Sequence, residues 1–359
     1  MVASRGSVGR FRRAGRESVA VLTNDVMRVR IRAMRVSVAV GVVMLATKVT
    51  AYALTGSAAI ASDAIESVVH VVATVFALYS VVKSVQPPDP LHPYGHGKIE
   101  FFSAGFEGGL IILAACAIIA QVGQTFVLGA VAHDLGVGIL LTLAAGVVNL
   151  VLGVYLIRTG RQTGSLTVEA DGQHVLTDSY TSFGVVVGLA LVRLTGWALL
   201  DPLVAVGVAL NILVAGGRLV RASIGGLMDE AETGVLKEIL AVIKERRKAE
   251  WIDVHHLRSW RSGDRRYVDL HLTVPRYWDI ERAHTAQHAF EETVLTHLGA
   301  EGDVIIHLDP CVPDCCAFCD VPDCAVRAAP HAVQHPWTME RAVGAPAHAE
   351  LVGTSGASP

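Results

Sequence analysis

The chain has 359 residues, of which 52% are hydrophobic and 18% are charged. A chain this apolar is not an ordinary soluble enzyme, and 30 Lys and Arg against 33 Asp and Glu give no sign of a nucleic-acid partner. Apolar residues concentrate before about residue 222, and charged residues and histidines come after it. This asymmetry predicts a membrane domain followed by a soluble C-terminal domain.

Residues 1–33 form a basic segment that is rich in arginine. We expect a disordered cytoplasmic arm here. No apolar core directly follows the arginines and no small-residue cleavage site is present, so the segment is not typical of a removable signal peptide.

Six apolar runs follow, each close to or above the ~20 residues that a membrane-spanning helix needs. They lie at 34–56, 58–83, 103–128, 135–158, 172–193 and 198–218. Six spans, in a membrane domain at 34–222, put both termini on one side of the membrane. Lys and Arg concentrate in the segments on that side, and the positive-inside rule identifies it as the cytoplasm.

The residues after Asp229 change to the pattern of a soluble domain. Helical periodicity predicts helices at 231–248 and 280–297. Alternation of apolar and polar residues predicts strands at 252–260, 267–274 and 303–308. The order α-β-β-α-β predicts a small α+β domain at 230–310, with its helices packed on one face of a short sheet.

Ionisable side chains interrupt two of the predicted spans: Asp63 in the second, and His174 and Asp178 in the fifth. Such a residue at the bilayer centre costs about 2.5–3.5 kcal/mol on insertion scales, so it usually faces a polar cavity and marks an ion pathway. His174 and Asp178 are four residues apart and share a helix face. An imidazole with carboxylates from two helices is a ligand set for a borderline divalent metal. The alternative is that these groups are polar contacts between helices.

A further ligand on the helix of Asp63 is open. Ser67, four residues on, is in the facing position but is a weak, neutral ligand. Glu66, three residues on, has a longer side chain that can swing in. His70, seven residues on, shares the face of Asp63, and a helix–helix hydrogen bond is the simpler interpretation of its role.

The predicted loop after the second span contains Asp89, His92 and His96. Their short spacing is typical of a metal site in which one loop supplies all the ligands, and the loop glycines permit a tight path. The alternative is a hydrated polar loop.

The soluble domain is rich in histidine, with a carboxylate nearby: His255, His271, His284, His307 and Asp309. His255, His271 and His307 fall on three predicted strands, where alternate residues share a face, so they can converge on a metal. A single histidine of this kind is more often a surface residue.

The tail at 311–359 contains a cluster of thiols: Cys311, Cys315, Cys316, Cys319 and Cys324. Crowding at one end of the chain is typical of reduced thiols that bind zinc or another thiophilic metal, whereas a disulfide scaffold distributes its cysteines through a domain. A flexible tail with incidental thiols is the alternative.

Together these motifs resemble the cation diffusion facilitator family of divalent metal exporters over residues 30–310. The matching motifs are Ser62-Asp63, His-Pro-Tyr-Gly-His-Gly-Lys-Ile-Glu at 92–100, His174-x3-Asp178, and Asp-Val-Ile-Ile-His-x-Asp-Pro at 303–310. The resemblance implies a homodimer with six transmembrane helices per subunit and a C-terminal α+β ferredoxin-like cytoplasmic domain.

The resemblance also implies a role for each candidate residue. Asp63, His174 and Asp178 match the transport site of the family, and Asp89, His92 and His96 match a second site in the loop. The cytoplasmic binuclear site that holds the dimer together is matched by His255, His271, His284, His307 and Asp309. Lys98 and Asp229 match an intersubunit charge pair at the membrane surface.

One position departs from the family pattern. The zinc and iron exporters usually carry a second Asp four residues after the first, where this chain has Ser67. The missing charge leaves Ser67, Glu66 or water to complete the site. The cysteine-rich tail is not part of the common family core.

The sequence therefore predicts a metal exporter rather than an enzyme, which exchanges cytoplasmic metal for protons by alternating access. Zinc is the first expected substrate and regulatory ligand, with Fe²⁺, Co²⁺, Ni²⁺, Mn²⁺ and Cd²⁺ open, and the bacterial inner membrane is the expected location. One alternative is a membrane-anchored metal sensor or buffer without transport. A second, an intramembrane metallohydrolase, lacks an H-E-x-x-H motif and a general base beside the site.

Overall fold

A computed structural model describes residues 5–55, 58–128, 137–197, 199–298, 302–333 and 335–347. The chain divides into two compact units, Met1–Met228 and Asp229–Pro359. Within the described residues, the first unit consists of long helices. They are α1 (Arg5–Thr55), α2 (Ala58–Ser84), α3 (Ile99–Leu128), α4 (Val137–Thr163), α5 (Leu166–Thr195) and α6 (Leu200–Leu227).

Five of these helices, α2 to α6, contain a stretch that is long and apolar enough to cross a membrane. This confirms a helical membrane domain. The first expected span, 34–56, falls on α1, which is not among these five helices. Most side chains near the end of this span lie outside the described residues. The count of six spans therefore remains a prediction.

The basic segment before the first span is helical. The prediction of a disordered arm is wrong for the described residues, because α1 begins at Arg5 and runs without a break into the apolar region. Residues 16–40 contain neither glycine nor proline, so nothing in this stretch interrupts the helix.

Glycines bring pairs of membrane helices close together. A Cβ atom on Gly172 of α5 would lie 2.7 Å from the backbone nitrogen of Ile157 in α4, and one on Gly108 of α3 would lie 3.1 Å from the carbonyl oxygen of Gly216 in α6. Small residues permit this approach in a bilayer, where van der Waals packing drives helix association. The contact with α4 fixes the position of α5, which carries His174.

A buried ion pair joins the helices at one end of the bundle. Arg30 of α1 and Glu100 of α3 are 1% and 2% exposed, and Arg30 Nη1 lies 3.5 Å from Glu100 Oε1. Glu100 also accepts hydrogen bonds from Ser84 (2.9 Å) and from Ser165, the N-cap of α5, while Arg30 donates to the carbonyl of Thr163 in α4. Such additional hydrogen bonds are what make a buried charge pair tolerable.

The second unit is a small α+β domain followed by an extension. Its elements are α7 (Thr233–Glu245), β1 (Asp253–Ser262), β2 (Arg265–Val274), α8 (Ile280–Leu298), β3 (Gly302–Pro310), a 3₁₀ helix (Pro313–Ala317) and α9 (Met339–Val343). The sheet order is β1-β2-β3, with β1 antiparallel and β3 parallel to β2. The predicted order α-β-β-α-β is confirmed, and a ferredoxin-like fold remains a prediction.

The two faces of this sheet differ because side chains alternate along a strand. Leu270 of β2 and Ile306 of β3 lie in the core with Ile239 of α7 and Phe290 of α8. Neighbouring strand residues, including the predicted ligand His271, project from the opposite face. The sheet therefore has one face for the core and one for histidines.

Residues 311–347 pack onto the domain. Trp337 and Ala342 are part of its hydrophobic core, and Arg247 donates a hydrogen bond of 2.9 Å to the carbonyl of His335. The His335 ring contacts Asp253 Oδ1 at 2.8 Å, and the amide of Ala347 donates to the other oxygen of Asp253. The described part of the tail is a folded extension.

Candidate metal centres

Ligand-type side chains meet between α2 and α5 in the membrane domain. His70 of α2, and His174 and Asp178 of α5, each offer a ligand atom, and the three atoms lie within 4.8 Å of one another. His70 Nδ1 is 3.6 Å from Asp178 Oδ2, and the two imidazole rings are 4.6 Å apart. Two imidazoles and a carboxylate this close can bind one divalent ion with little movement.

Glu107 of α3 extends this group. It is 1% exposed, and its Oε2 lies 3.3 Å from His174 Nδ1, in an alignment too poor for a hydrogen bond. Neither carboxylate oxygen has a hydrogen-bond partner among the described residues. Because a buried carboxylate without a partner is costly, this one is suited to a cation.

A second buried carboxylate, Asp171 of α5, holds the helices together. It accepts hydrogen bonds from Ser37 of α1 (2.6 Å) and Thr74 of α2 (3.0 Å), and it is fully buried. Its oxygens are satisfied by these hydroxyls, whereas those of Glu107 are not. Asp171 therefore orients the helices, and Glu107 is the candidate ligand.

The other residues predicted for this site lie on the same helix as His70. Asp63 and Glu66 belong to α2, but their side chains lie outside the described residues, so their part in the site stays a prediction. Ser67 is buried on α2, one helical turn before His70. His70 contacts Asp178 across the two helices, as the sequence suggested, and it also lies within reach of a metal ion shared with His174 and Asp178.

The loop between α2 and α3 gathers the three predicted ligands. Asp89 Oδ1 lies 3.0 Å from His92 Nδ1, and Asp89 Oδ2 lies 3.3 Å from His96 Nε2. The backbone amides of Leu91 and His92 donate to Asp89, and Gly95 adopts the left-handed conformation (φ 80°) that the tight path needs. Desolvation raises the pKa of Asp89, but these hydrogen bonds outweigh it and hold the pKa below its ordinary value.

The sheet of the second unit aligns three histidines in one row. His255, His271 and His307 are register partners across β1, β2 and β3, as the alternation predicts. Asp309 joins them: its carboxylate lies 3.2 Å from His255 Nε2, 2.9 Å from His271 Nδ1 and 3.4 Å from His307 Nε2. Ligand atoms of His255, His271 and Asp309 all lie within 4.8 Å of one another.

One predicted histidine lies apart from this row, and one histidine that was not predicted lies beside it. His284 does not join this group within the described residues; it lies on α8, where its Nε2 is 3.0 Å from His288 Nε2. An additional residue, His256, sits at a β-bulge with φ 50°, and its ring is 5.1 Å from that of His271. Burial, then the neighbouring His255 and His271, lower the pKa of His256. No periodic pattern could have identified it, because a bulge breaks the alternation.

The five clustered cysteines are free thiols in the extension and its junction with β3. Cys315, Cys316 and Cys319 are buried, and all five line one cavity. No three of their sulfurs, within the described part of the chain, come within 4.8 Å of one another. They line a cavity together, and the prediction that they bind a metal stays a prediction.

A helical membrane domain with ligand-type side chains between its helices, followed by an α+β domain with a row of histidines, is the arrangement expected of a membrane metal transporter. Residues 34–228 match the cation efflux transmembrane domain, and residues 232–311 match the cytoplasmic domain of cation efflux proteins. The chain therefore belongs to the cation efflux family, the cation diffusion facilitators. The resemblance seen in its motifs is confirmed.

Known proteins resemble the chain over most of their length. An uncharacterized transporter of Synechocystis sp., sll1263, is 33% identical over 76% of this chain and 88% of its own. The cation-efflux pump FieF of Escherichia fergusonii is 30% identical over 78% of this chain and 92% of its own. The FieF of Citrobacter koseri is 30% identical over 75% and 88%. Efflux of divalent cations is thus the activity of the family to which the chain belongs.

Proposed function

We propose that this protein exports divalent transition metal, zinc first, from the cytoplasm across the bacterial inner membrane in exchange for protons. Fe²⁺, Co²⁺, Ni²⁺, Mn²⁺ and Cd²⁺ are the other substrates to test. Both termini lie in the cytoplasm in this proposal. The observation that carries it is the group formed by His70, His174, Asp178 and Glu107 between membrane helices.

The cost of these side chains argues for transport rather than anchoring. A helix that only anchors a protein has no use for ionisable residues, each of which costs about 2.5–3.5 kcal/mol at the bilayer centre on insertion scales. Glu107 is almost fully buried and has no hydrogen-bond partner among the described residues, so its charge is stabilised when a cation enters. A metal sensor that binds only through its soluble domain would not need this residue.

His70 and Glu107 supply what the sequence lacks at Ser67. The usual family site has a second Asp one turn after the first. Here an imidazole one turn after Ser67 and a carboxylate from α3 reach the same group. Replacing one carboxylate by an imidazole on α2 makes the site softer, a change that favours zinc, nickel or copper-like ions over manganese.

Exchange with protons follows from competition for the same lone pairs. A metal needs neutral imidazoles and ionised carboxylates, and protonation removes their lone pairs. A free imidazole titrates near pH 6.5, within the physiological range. Acidification on the far side of the membrane therefore releases metal, and protons bound there return to the cytoplasm.

The soluble domain acts as a metal-dependent dimer contact in this proposal. The row of His255, His271 and His307 lies on the face of the sheet away from its core. His255 is buried there, whereas His271 and His307 are accessible to a second copy of the chain. Metal bound to the soluble domains tightens the dimer and thereby favours one arrangement of the two membrane domains. Linkage then requires that metal binding in the membrane domain changes the metal affinity of the soluble domain by the same factor. Asp89, His92 and His96 form a further site in the α2–α3 loop.

Reconstitution tests the proposal directly. Purified protein in lipid vesicles should move zinc toward the acidic compartment of an imposed pH gradient, and reversing the gradient should reverse the flux. Saturable zinc binding without any flux would instead support the anchored sensor or buffer. Zinc flux that ignores the pH gradient would refute exchange with protons.

A further inference from the structure

The cysteines of the extension surround a cavity beside the α+β domain. The cavity lies next to Pro275 and Arg276, which follow β2, and next to Ile252, which precedes β1. Its other side is formed by the chain after β3, where all five clustered cysteines line it. Three of them are nearly inaccessible: Cys315 is 2% exposed, Cys319 6% and Cys316 8%.

Apolar packing alone does not explain this arrangement. A buried free cysteine can act as a small hydrophobic residue, and Val321 and Phe318 pack beside these thiols in that way. Here, however, five sulfurs border one small cavity, and the hydrophobic packing of single cysteines does not require them to gather at one place.

The backbone around the cavity is arranged as it is around metal-bound sulfur. The amide of Arg276 donates to Cys311 Sγ at 3.4 Å, and the amide of Ala328 donates to Cys316 Sγ at 3.3 Å. Hydrogen bonds to the sulfurs are a regular feature of thiolate-ligated centres. Arg327 also holds the loop in shape by donating to the carbonyls of Cys316, Cys319 and Val321.

We propose that the Cys311–Cys324 segment binds a thiolate-ligated metal centre that fastens the C-terminal extension to the α+β domain. The centre uses other residues than the group of His70, His174, Asp178 and Glu107 and the row of His255, His271 and His307. Its ligands come from the five thiols that line the cavity, Cys311, Cys315, Cys316, Cys319 and Cys324. Zinc and an iron–sulfur cluster share this ligand chemistry. Among the described residues no three of the sulfurs lie within 4.8 Å of one another, so the loop must rearrange to hold either centre.

The centre stabilises the extension because its ligands span the junction. Cys311 directly follows β3, while the other cysteines belong to the segment that leads to Trp337 in the domain core. Metal binding to a site that the unfolded chain lacks adds its free energy to folding. Loss of the metal should therefore release residues 311–347 from the sheet while the membrane helices stay folded.

The test uses the full-length protein in detergent, with Cys319→Ser as the variant and Cys116→Ser as the matched control. Cys116 is an exposed cysteine on α3 and does not belong to the cysteine cluster of the second unit. Bound zinc, iron and acid-labile sulfide are measured per chain. Relative to the control, Cys319→Ser should lose about one zinc, or the iron, sulfide and visible absorption of a cluster.

A second measurement keeps the test valid if Cys319→Ser fails to fold. In the unmodified protein, a mercurial that displaces thiolate-bound metal should release metal and expose the extension to protease. A chelator too weak to compete with thiolates should do neither. The proposal is overturned if Cys319→Ser and Cys116→Ser hold equal metal, or if the five thiols react with a thiol reagent without any metal release. Zinc flux is measured separately, so failed transport with this metal still bound would refute the transport proposal alone.

Discussion

Replacing Glu107 with Gln tests whether a buried carboxylate of α3 is part of the transport site. The substitution keeps the size of the side chain and removes its charge beside His174, 3.3 Å away. An interaction with an ionised group contributes about 1.5–3 kcal/mol, which corresponds to a change of about 10- to 150-fold in affinity. We expect the KM for zinc flux into vesicles to rise within that range.

The stability of the Glu107→Gln protein should not fall, because a neutral amide is easier to bury than an unpaired carboxylate. The matched control is Glu169→Gln on α5, whose carboxylate pairs with Arg161 at 2.8 Å and does not face the metal group. It should leave the KM unchanged. An unchanged KM in Glu107→Gln, in vesicles where the control and wild type transport equally, would refute the assignment of Glu107 as a ligand.

Three further predictions concern packing, the buried ion pair and the dimer. Gly172→Ala should lower zinc flux, because the added Cβ would lie 2.7 Å from the backbone nitrogen of Ile157 in α4. Gly217→Ala is the control and should leave the flux unchanged, because nothing lies within 4 Å of its added Cβ. Equal flux in the two variants would contradict the close-packing argument. Glu100→Ala should cost about 3–5 kcal/mol by removing the carboxylate beside the buried charge of Arg30, seen as a lower midpoint in thermal unfolding, and an unshifted midpoint would contradict it. Asp309→Asn should weaken the zinc-dependent dimer about tenfold in sedimentation, while Asp269→Asn on the same sheet should not; equal dissociation constants would exclude Asp309 as a ligand.

Most of the fold follows from periodicity in the sequence. Long apolar runs identified α2 to α6, and alternation identified the three strands, because burial in a bilayer or on one face of a sheet imposes a regular pattern. The helical start of α1 at Arg5 was missed, since a basic segment without an apolar face gives no such pattern. The folded extension was also missed: Trp337 enters the core from a stretch without regular structure.

The candidate sites were partly predictable for similar reasons. His174 and Asp178, the loop triplet and the strand histidines lie at spacings that place them on one face or in one turn. Glu107 stands alone in the third span, and only the packing of α3 against α5 shows which group it joins. The bulge that brings His256 beside His271 and the separation of His284 likewise depend on tertiary structure.

The most direct test of the account is zinc flux through Asp178→Ala in vesicles with an imposed pH gradient. Asp178 holds the group together through its contact with His70 at 3.6 Å. The wild type should accumulate zinc in the acidic compartment, and Asp178→Ala should show no gradient-driven flux although it inserts and dimerises normally. Full zinc flux in Asp178→Ala would contradict the claim that metal crosses the membrane through this group.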